Sequence, residues 1–263
     1  MNPTIKFLGC GGAFAPITQG NSSMLIQSNG KYMLLDCGGS VQFTLQSEFG
    51  VNPQDIDAMW ISHLHGDHIG SIEWLAFYRY FVPKKDKDGN IVKLKLFMIP
   101  SLMKDLWEKS LQGGLQSVES KIMNLTDYFD CIIVPENSKF IWEDVEFQPV
   151  QTIHVMAGYM FMPSYGLIMK PKATGKTTFV TTDTQFCPYQ LRAFYNMADQ
   201  IFHDCETIPF KSHVHAHYTD LATLPIETKN KMWLYHYKEP ISEFKFKEDG
   251  FKGFVTKGQV FDL

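Results

Sequence analysis

The chain has 263 residues, 44% hydrophobic and 20% charged, with a formal net charge of −4. That balance supplies a large core and a soluble surface and argues against a disordered chain. An acidic chain with two arginines, Arg79 and Arg192, is poorly equipped to hold a long nucleic acid, which needs many cationic contacts along its phosphates.

Taken in order, Thr4 to Leu8, Ser23 to Gln27 and Tyr32 to Leu35 read as short strands, with Gly9-Cys-Gly-Gly12 and Asn29-Gly30 as breakers. The glycine run marks tight backbone bends and lacks the spacing of a nucleotide-binding fingerprint. Helices are expected at Ser40 to Phe49, Ile69 to Tyr80, Ser101 to Leu111 and Tyr189 to Asn196. Strands are expected at Lys95 to Ile99, Cys131 to Val134, Phe140 to Pro149, Tyr159 to Met162 and Tyr165 to Lys170. Phe81 to Val92 reads as a charged hairpin around Asp88-Gly89, and Leu102 to Leu125 as a helical excursion. No Ser/Gly/Pro-rich linker divides the chain, so residues 1–263 are read as one domain. The N-terminal residues lack the charged-then-apolar plan of a signal peptide, and no stretch suits a membrane span, which points to a cytoplasmic protein. Cys10, Cys37, Cys131, Cys187 and Cys205 are odd in number and contain no CxxC pair, which favours reduced thiols over a disulfide scaffold.

The densest chemistry is Ser62-His-Leu-His-Gly-Asp-His-Ile-Gly70, directly after the apolar run Ala58-Met-Trp-Ile61. A strand ending at Ser62 delivers His63 and His65 from one side, because residues two apart in extended backbone point the same way. Those two can share one metal. Asp67 and His68 then fall in the first turn of a helix, aimed at a different point, and can begin a second site. Imidazoles with a carboxylate suit zinc or a similar divalent transition metal, whereas calcium and magnesium want more oxygen. A polar turn with surface histidines is the bland alternative, and four ligand types in six positions behind a strand weigh against it.

H-x-H-x-D-H at a strand-to-helix junction resembles the signature of the metallo-β-lactamase superfamily. Three later residues match the family's remaining ligands in order: His154 after Phe147 to Ile153, Asp183 after Thr177 to Thr182, and His236 after Lys231 to Tyr235. The resemblance implies an α/β fold, an αββα sandwich of two mixed sheets with helices on the outer faces. It implies two divalent ions, Zn²⁺ foremost and Mn²⁺ second, one on His63, His65 and His154, the other on Asp67, His68 and His236, with Asp183 between. Such a pair lowers the pKa of a shared water toward ~7. Asp36 matches a carboxylate that supports the cluster by orienting a ligand imidazole.

Ile201-Phe-His-Asp-Cys-Glu-Thr207 followed by His213-Val-His-Ala-His-Tyr-Thr219 looks like the phosphodiesterase branch that includes tRNase Z, where an acidic-Thr motif precedes H-x-T. By that likeness His217 is the acid that protonates the leaving oxygen, and Asp204 or Glu206 orients it. The match is imperfect, since tRNase Z has His-Glu-Ala-Thr where this chain has Asp-Cys-Glu-Thr. His213 and His215 are read as an exposed strand or a metal-scavenging tract. The tRNA-gripping arm of that branch has no room between Val155 and Thr182, so a small phosphodiester fits better.

Size, the short His154-to-Asp183 interval, His154-Val-Met-Ala-Gly-Tyr159, Asp204-Cys-Glu-Thr207 and the tail Gly250-Phe-Lys-Gly-Phe-Val255 resemble the anti-Pycsar phosphodiesterases of phages and bacteria. That resemblance implies a cyclic mononucleotide substrate, cCMP or cUMP foremost and cAMP or cGMP next, opened to the 5′-monophosphate, and a homodimer. The competing readings are an RNase Z-like endoribonuclease and a non-catalytic nucleotide sponge; a sponge need not keep the seven ligands.

Overall fold

The computed structural model describes residues 2–263. Strands β1 (Thr4–Phe7), β2 (Met24–Ser28), β3 (Lys31–Leu35), β4 (Ile56–Trp60) and β5 (Leu94–Met98) open a seven-stranded sheet. A small hairpin, β6 (Ser117–Val118) and β7 (Lys121–Ile122), precedes β8 (Phe129–Ile133) on the far edge of that sheet. The second seven-stranded sheet runs through β9 (Phe140–Trp142), β10 (Val145–Ala157), β11 (Met160–Pro171), β12 (Thr178–Val180), β13 (Gln200–Asp204), β14 (Met232–Tyr235) and β15 (Gly253–Phe254). Strand β16 (Val260–Asp262) returns to pair antiparallel with β1.

Both sheets are mixed in the same way. From β16 to β3 the first sheet is antiparallel and from β3 to β8 parallel; from β9 to β12 the second is antiparallel and from β12 to β15 parallel. Parallel strands point their C-terminal ends the same way, and a crevice at those ends is where α/β sheets place ligands. The faces between the sheets are apolar: Phe7 of β1 packs on Phe202 of β13 and Tyr235 of β14, and Trp60 of β4 stacks on Phe140 of β9. Trp60 Nε1–H also donates across the interface to the Tyr165 carbonyl at 3.2 Å, so the largest core side chain leaves no orphaned donor.

The expected elements are present with shifted limits. The helix read over Ser40 to Phe49 is a single turn, Val41–Thr44, continued by irregular turns. Phe140 to Pro149 is not one strand, because Glu143 turns the chain in left-handed backbone at φ 50° between β9 and β10. The strands read at Tyr159 to Met162 and Tyr165 to Lys170 are one continuous strand, β11. The excursion beyond Leu102 is helical from Pro100 to Leu115, with a π-helical turn at Trp107–Leu111, and ends in the β6–β7 hairpin.

Candidate metal centre

Five of the seven expected ligands lie beyond a strand end or at a bulge, and the other two in a helical turn. His63 and His65 follow β4, Asp183 follows β12, His236 follows β14, and His154 sits at the register break between Ile153 and Val155 in β10. Asp67 and His68 occupy the single helical turn Gly66–Ile69. Asp36, Thr182 and His236 adopt left-handed backbone, with φ of 62°, 52° and 66°. That conformation is unfavourable for residues other than glycine, so three such residues around one cluster mark strain tied to function. Two glycines admit close approach: a Cβ on Gly38 would collide with the Asp67 carbonyl oxygen, and one on Gly12 would lie 3.0 Å from the His236 ring.

The seven side chains converge as two groups sharing Asp183: His63, His65, His154 and Asp183, and Asp67, His68, Asp183 and His236. In the first, His65 Nδ1 stands 3.1 Å from His63 Nε2 and 3.0 Å from His154 Nε2. Nitrogens bound tetrahedrally at ~2.0–2.1 Å to one zinc lie ~3.3 Å apart, so this spacing fits three ligands of one ion. In the second, Asp67 Oδ2 is 3.2 Å from His236 Nε2 and 3.5 Å from His68 Nε2, and Asp183 Oδ1 is 3.2 Å from His68 Nε2.

The outer nitrogens are committed, and this sets the tautomers. His68 Nδ1–H donates to Asp36 Oδ2 at 2.7 Å, and His154 Nδ1–H donates to the Val214 carbonyl at 2.8 Å. Ser62 Oγ donates to Asp36 Oδ2 at 2.7 Å and therefore accepts from His63 Nδ1–H at 3.0 Å. All three imidazoles present the Nε2 lone pair inward. Asp36 thus orients His68 directly and His63 through Ser62.

Lone pairs facing carboxylate oxygens need a cation between them. Both oxygens of the buried Asp183, Asp204 Oδ1 and His68 Nε2 lack hydrogen-bond partners among the described residues. Such groups are expensive to bury, and a divalent ion is the partner this donor set suits. The electrostatics agree except at His68, where burial would lower the imidazole but the charges of Asp183 and Asp36 hold it well above the ordinary histidine range, so that it ligates only after losing a proton. Burial, reinforced by neighbouring imidazoles, holds His63 well below the ordinary histidine range, and burial lowers His65 and His154. Burial would raise Asp67 and Asp183, but the imidazoles around them hold both well below the usual carboxylate range. Neutral imidazoles with ionised carboxylates are the ligating forms.

The residues expected beyond the ligands are placed differently. His217 caps the short helix Tyr218–Leu221: its Nδ1 accepts from Thr219, and its Nε2–H donates to the Ile208 carbonyl at 2.9 Å. With both nitrogens occupied by its own chain, His217 does not face the cluster, and the expectation of a proton donor there is corrected. Glu206 makes no hydrogen bond to that ring; its backbone pairs with 216–218, and its Oε2 accepts from Ser212 N–H at 2.9 Å. Asp204 orients a histidine, but the histidine is His215, whose Nδ1 is 2.8 Å from Asp204 Oδ2.

His215 is the site residue that the reading as an exposed strand misses. It packs against the rings of His154 and His236 and lies 3.8 Å from Asp183 Oδ2. Burial would lower it, but the charge and hydrogen bond of Asp204 dominate and raise it to about 10. The available signal is the alternation His213, His215, His217. The helix cap at His217 turns one imidazole away, and His213, exposed in left-handed backbone, turns another.

The fold matches the metallo-β-lactamase fold protein YhfI from Bacillus subtilis, with a TM-score of 0.75 at 18% identity over the whole of both chains. Human tRNase Z, short form, matches with a TM-score of 0.64 at 18% identity over 98% of each chain. Fold and cluster together define a protein of the metallo-β-lactamase fold with a candidate metal centre at its strand ends. The sequence profile of the anti-Pycsar protein Apyc1 matches residues 3–261, and an anti-Pycsar protein Apyc1 from Bacillus phage vB_BsuM-Goe3 is 32% identical over 252 residues, 91% of each chain. The chain belongs to the anti-Pycsar protein Apyc1 family.

Proposed function

We propose that the protein, as one catalytic unit over 1–263, is a phosphodiesterase holding two divalent ions, zinc or else manganese. It opens 3′,5′-cyclic nucleotides, cCMP and cUMP first and cAMP and cGMP next, to 5′-monophosphates, and so counteracts cyclic-nucleotide antiphage signalling in a bacterial cytoplasm. The observation carrying this reading is a pair of four-ligand groups sharing Asp183, with a carboxylate-held histidine beside them. When bound, the ions supply Lewis acidity toward the phosphoryl oxygens and the attacking water. His63, His65, His154, Asp67, His68, His236 and Asp183 would hold them, and Asp36 keeps two of the imidazoles in their ligating tautomer.

Hydrolysis adds hydroxyl to phosphorus and a proton to O3′ as the P–O3′ bond breaks. We assign that proton to His215: Asp204 occupies its Nδ1, which leaves Nε2 for the substrate. Such a donor typically contributes ~10²–10⁴ in rate. The short extension of the β10–β11 hairpin beyond His154 and the scarcity of arginine favour a small diester over tRNA. We also assign a homodimer as the working unit.

The test incubates purified protein, supplemented with zinc or manganese, with cCMP, cUMP, cAMP, cGMP and a pre-tRNA, read by chromatography. Cyclic nucleotides should become 5′-monophosphates, His215→Gln should slow turnover at least about 100-fold, and Asp183→Ala should abolish it. Intact cyclic nucleotides would refute the reading, and sequestration that survives Asp183→Ala without turnover would mark a sponge.

A further inference from the structure

His203 lies on β13, is wholly buried, and belongs to none of the ligand groups. An imidazole in an apolar interior needs a partner for each ring nitrogen. Its Nδ1 is 2.6 Å from the Asp204 carbonyl oxygen, and its Nε2 is 2.7 Å from the Tyr195 hydroxyl on the helix Pro188–Met197. Burial holds the ring below the ordinary histidine range, so it carries one proton. A carbonyl oxygen only accepts, which puts that proton on Nδ1 and makes the Tyr195 hydroxyl the donor to Nε2. Tyr195 thereby sets the tautomer with which His203 grips the main chain of Asp204.

Asp204 is gripped from other sides as well. Its N–H donates to Thr181 Oγ1 at 3.0 Å, and its Oδ2 accepts from Thr184 N–H at 2.9 Å and from His215 Nδ1–H at 2.8 Å. Thr181 and Thr184 flank the shared ligand Asp183, and the helix carrying Tyr195 follows soon after in the chain. One segment, 181–197, therefore holds Asp183 and Asp204 in place relative to each other. A phenylalanine at 195 and an aliphatic residue at 203 would fill the same space with little loss of stability, because replacing both partners of a buried hydrogen bond by apolar groups is close to neutral. What the polar pair adds is direction.

We propose that His203 and Tyr195 are positioning residues for the proton donor: Tyr195 orients His203, His203 fixes the Asp204 peptide, and Asp204 aims His215 at the leaving oxygen. This rests on the reading of His215 as that donor. Neither residue touches the substrate or passes a proton; the proton given to O3′ comes from His215 Nε2, and the ring of His203 keeps its own.

Zinc-loaded protein carrying Tyr195→Phe, His203→Leu or His203→Asn tests this on two substrates. The 3′-alkoxide of cCMP must be protonated as it leaves, whereas the p-nitrophenolate of bis(p-nitrophenyl) phosphate leaves without a proton. Tyr195→Phe and His203→Leu should lower kcat on cCMP by about 10- to 100-fold, and at least about tenfold more than on bis(p-nitrophenyl) phosphate. His203→Asn, whose amide N–H can stand where Nδ1–H stood, should recover cCMP turnover to within about threefold of native. Equal losses on both substrates would mark a merely structural pair and overturn the proposal. A second readout is independent of turnover: the His215 Nδ1–H bonded to Asp204 gives a downfield proton resonance, which should shift or vanish in Tyr195→Phe and His203→Leu and stay in His203→Asn. An unmoved resonance in the first two would overturn the proposal. Native protein that leaves cCMP intact yet shows this dependence would remove the phosphodiesterase reading and sustain the positioning of His215.

Discussion

At the scale of single residues, Asp36 has the widest influence for its size. Its Oδ1 takes the Ser62 backbone N–H at 2.8 Å, and its Oδ2 takes both the Ser62 hydroxyl and His68 Nδ1–H. One carboxylate therefore fixes the loop that begins the H-x-H-x-D-H motif and the tautomers of His63 and His68. Asp36→Asn replaces one acceptor oxygen by a donor NH₂, which cannot accept from both Ser62 and His68, so the fold should survive while the ligands lose their orientation. Metal affinity, measured by competition with a chromogenic chelator, should fall about 10- to 100-fold, with circular dichroism unchanged. Full affinity in the variant would mean that Asp36 does not orient the ligands.

At the scale of elements, the motif works because a strand, a loop and one helical turn meet another loop at van der Waals distance. Gly38 follows β3 and lies against the carbonyl of Asp67, and Cys37 and His68 are joined there by a backbone hydrogen bond of 2.7 Å. Any side chain on Gly38 drives the two loops apart. Gly66, at the start of the same helical turn, has open space where a Cβ would stand, with no heavy atom within 4 Å, and no positive φ. Gly38→Ala should therefore destabilise by about 1–3 kcal/mol, whereas Gly66→Ala should be neutral or stabilise by up to ~1 kcal/mol. Thermal melts of the two variants beside the native protein decide this, and equal melting temperatures would contradict the packing argument.

At the scale of the whole molecule, two sheets, each half antiparallel and half parallel, bring their parallel C-terminal ends to one edge of the sandwich, where the ligands gather. The long β10–β11 hairpin carries His154 and then runs on to a tip where Met156, Tyr159, Met160 and Phe161 are exposed. A contiguous apolar patch of that kind is what a second copy would cover. Size-exclusion chromatography with light scattering should return about twice the 30.2 kDa chain mass, and Tyr159→Asp with Phe161→Asp should return one chain mass. A native particle of one chain mass at micromolar concentration would remove the dimer from the proposal.

Much of this was written locally. The seven candidate ligands, Asp36 and, through the family they resemble, the mixed two-sheet architecture could be read from short motifs at the ends of apolar runs, because strand alternation and a strand-to-helix turn are local rules that set where neighbouring side chains point. Element limits drifted where one left-handed residue, such as Glu143, broke a run whose composition continued. The residue proposed as proton donor was beyond local reading. His213, His215 and His217 share one alternation, and which of them faces the cluster depends on a helix cap at one end, a left-handed turn at the other, and the approach of Asp204 from a separate strand. Contacts between residues distant along the chain, made only when β13 and the 206–217 segment pack beside β14, gave Asp204 to His215 and left Glu206 facing a cavity. No periodicity within a single segment carries that information.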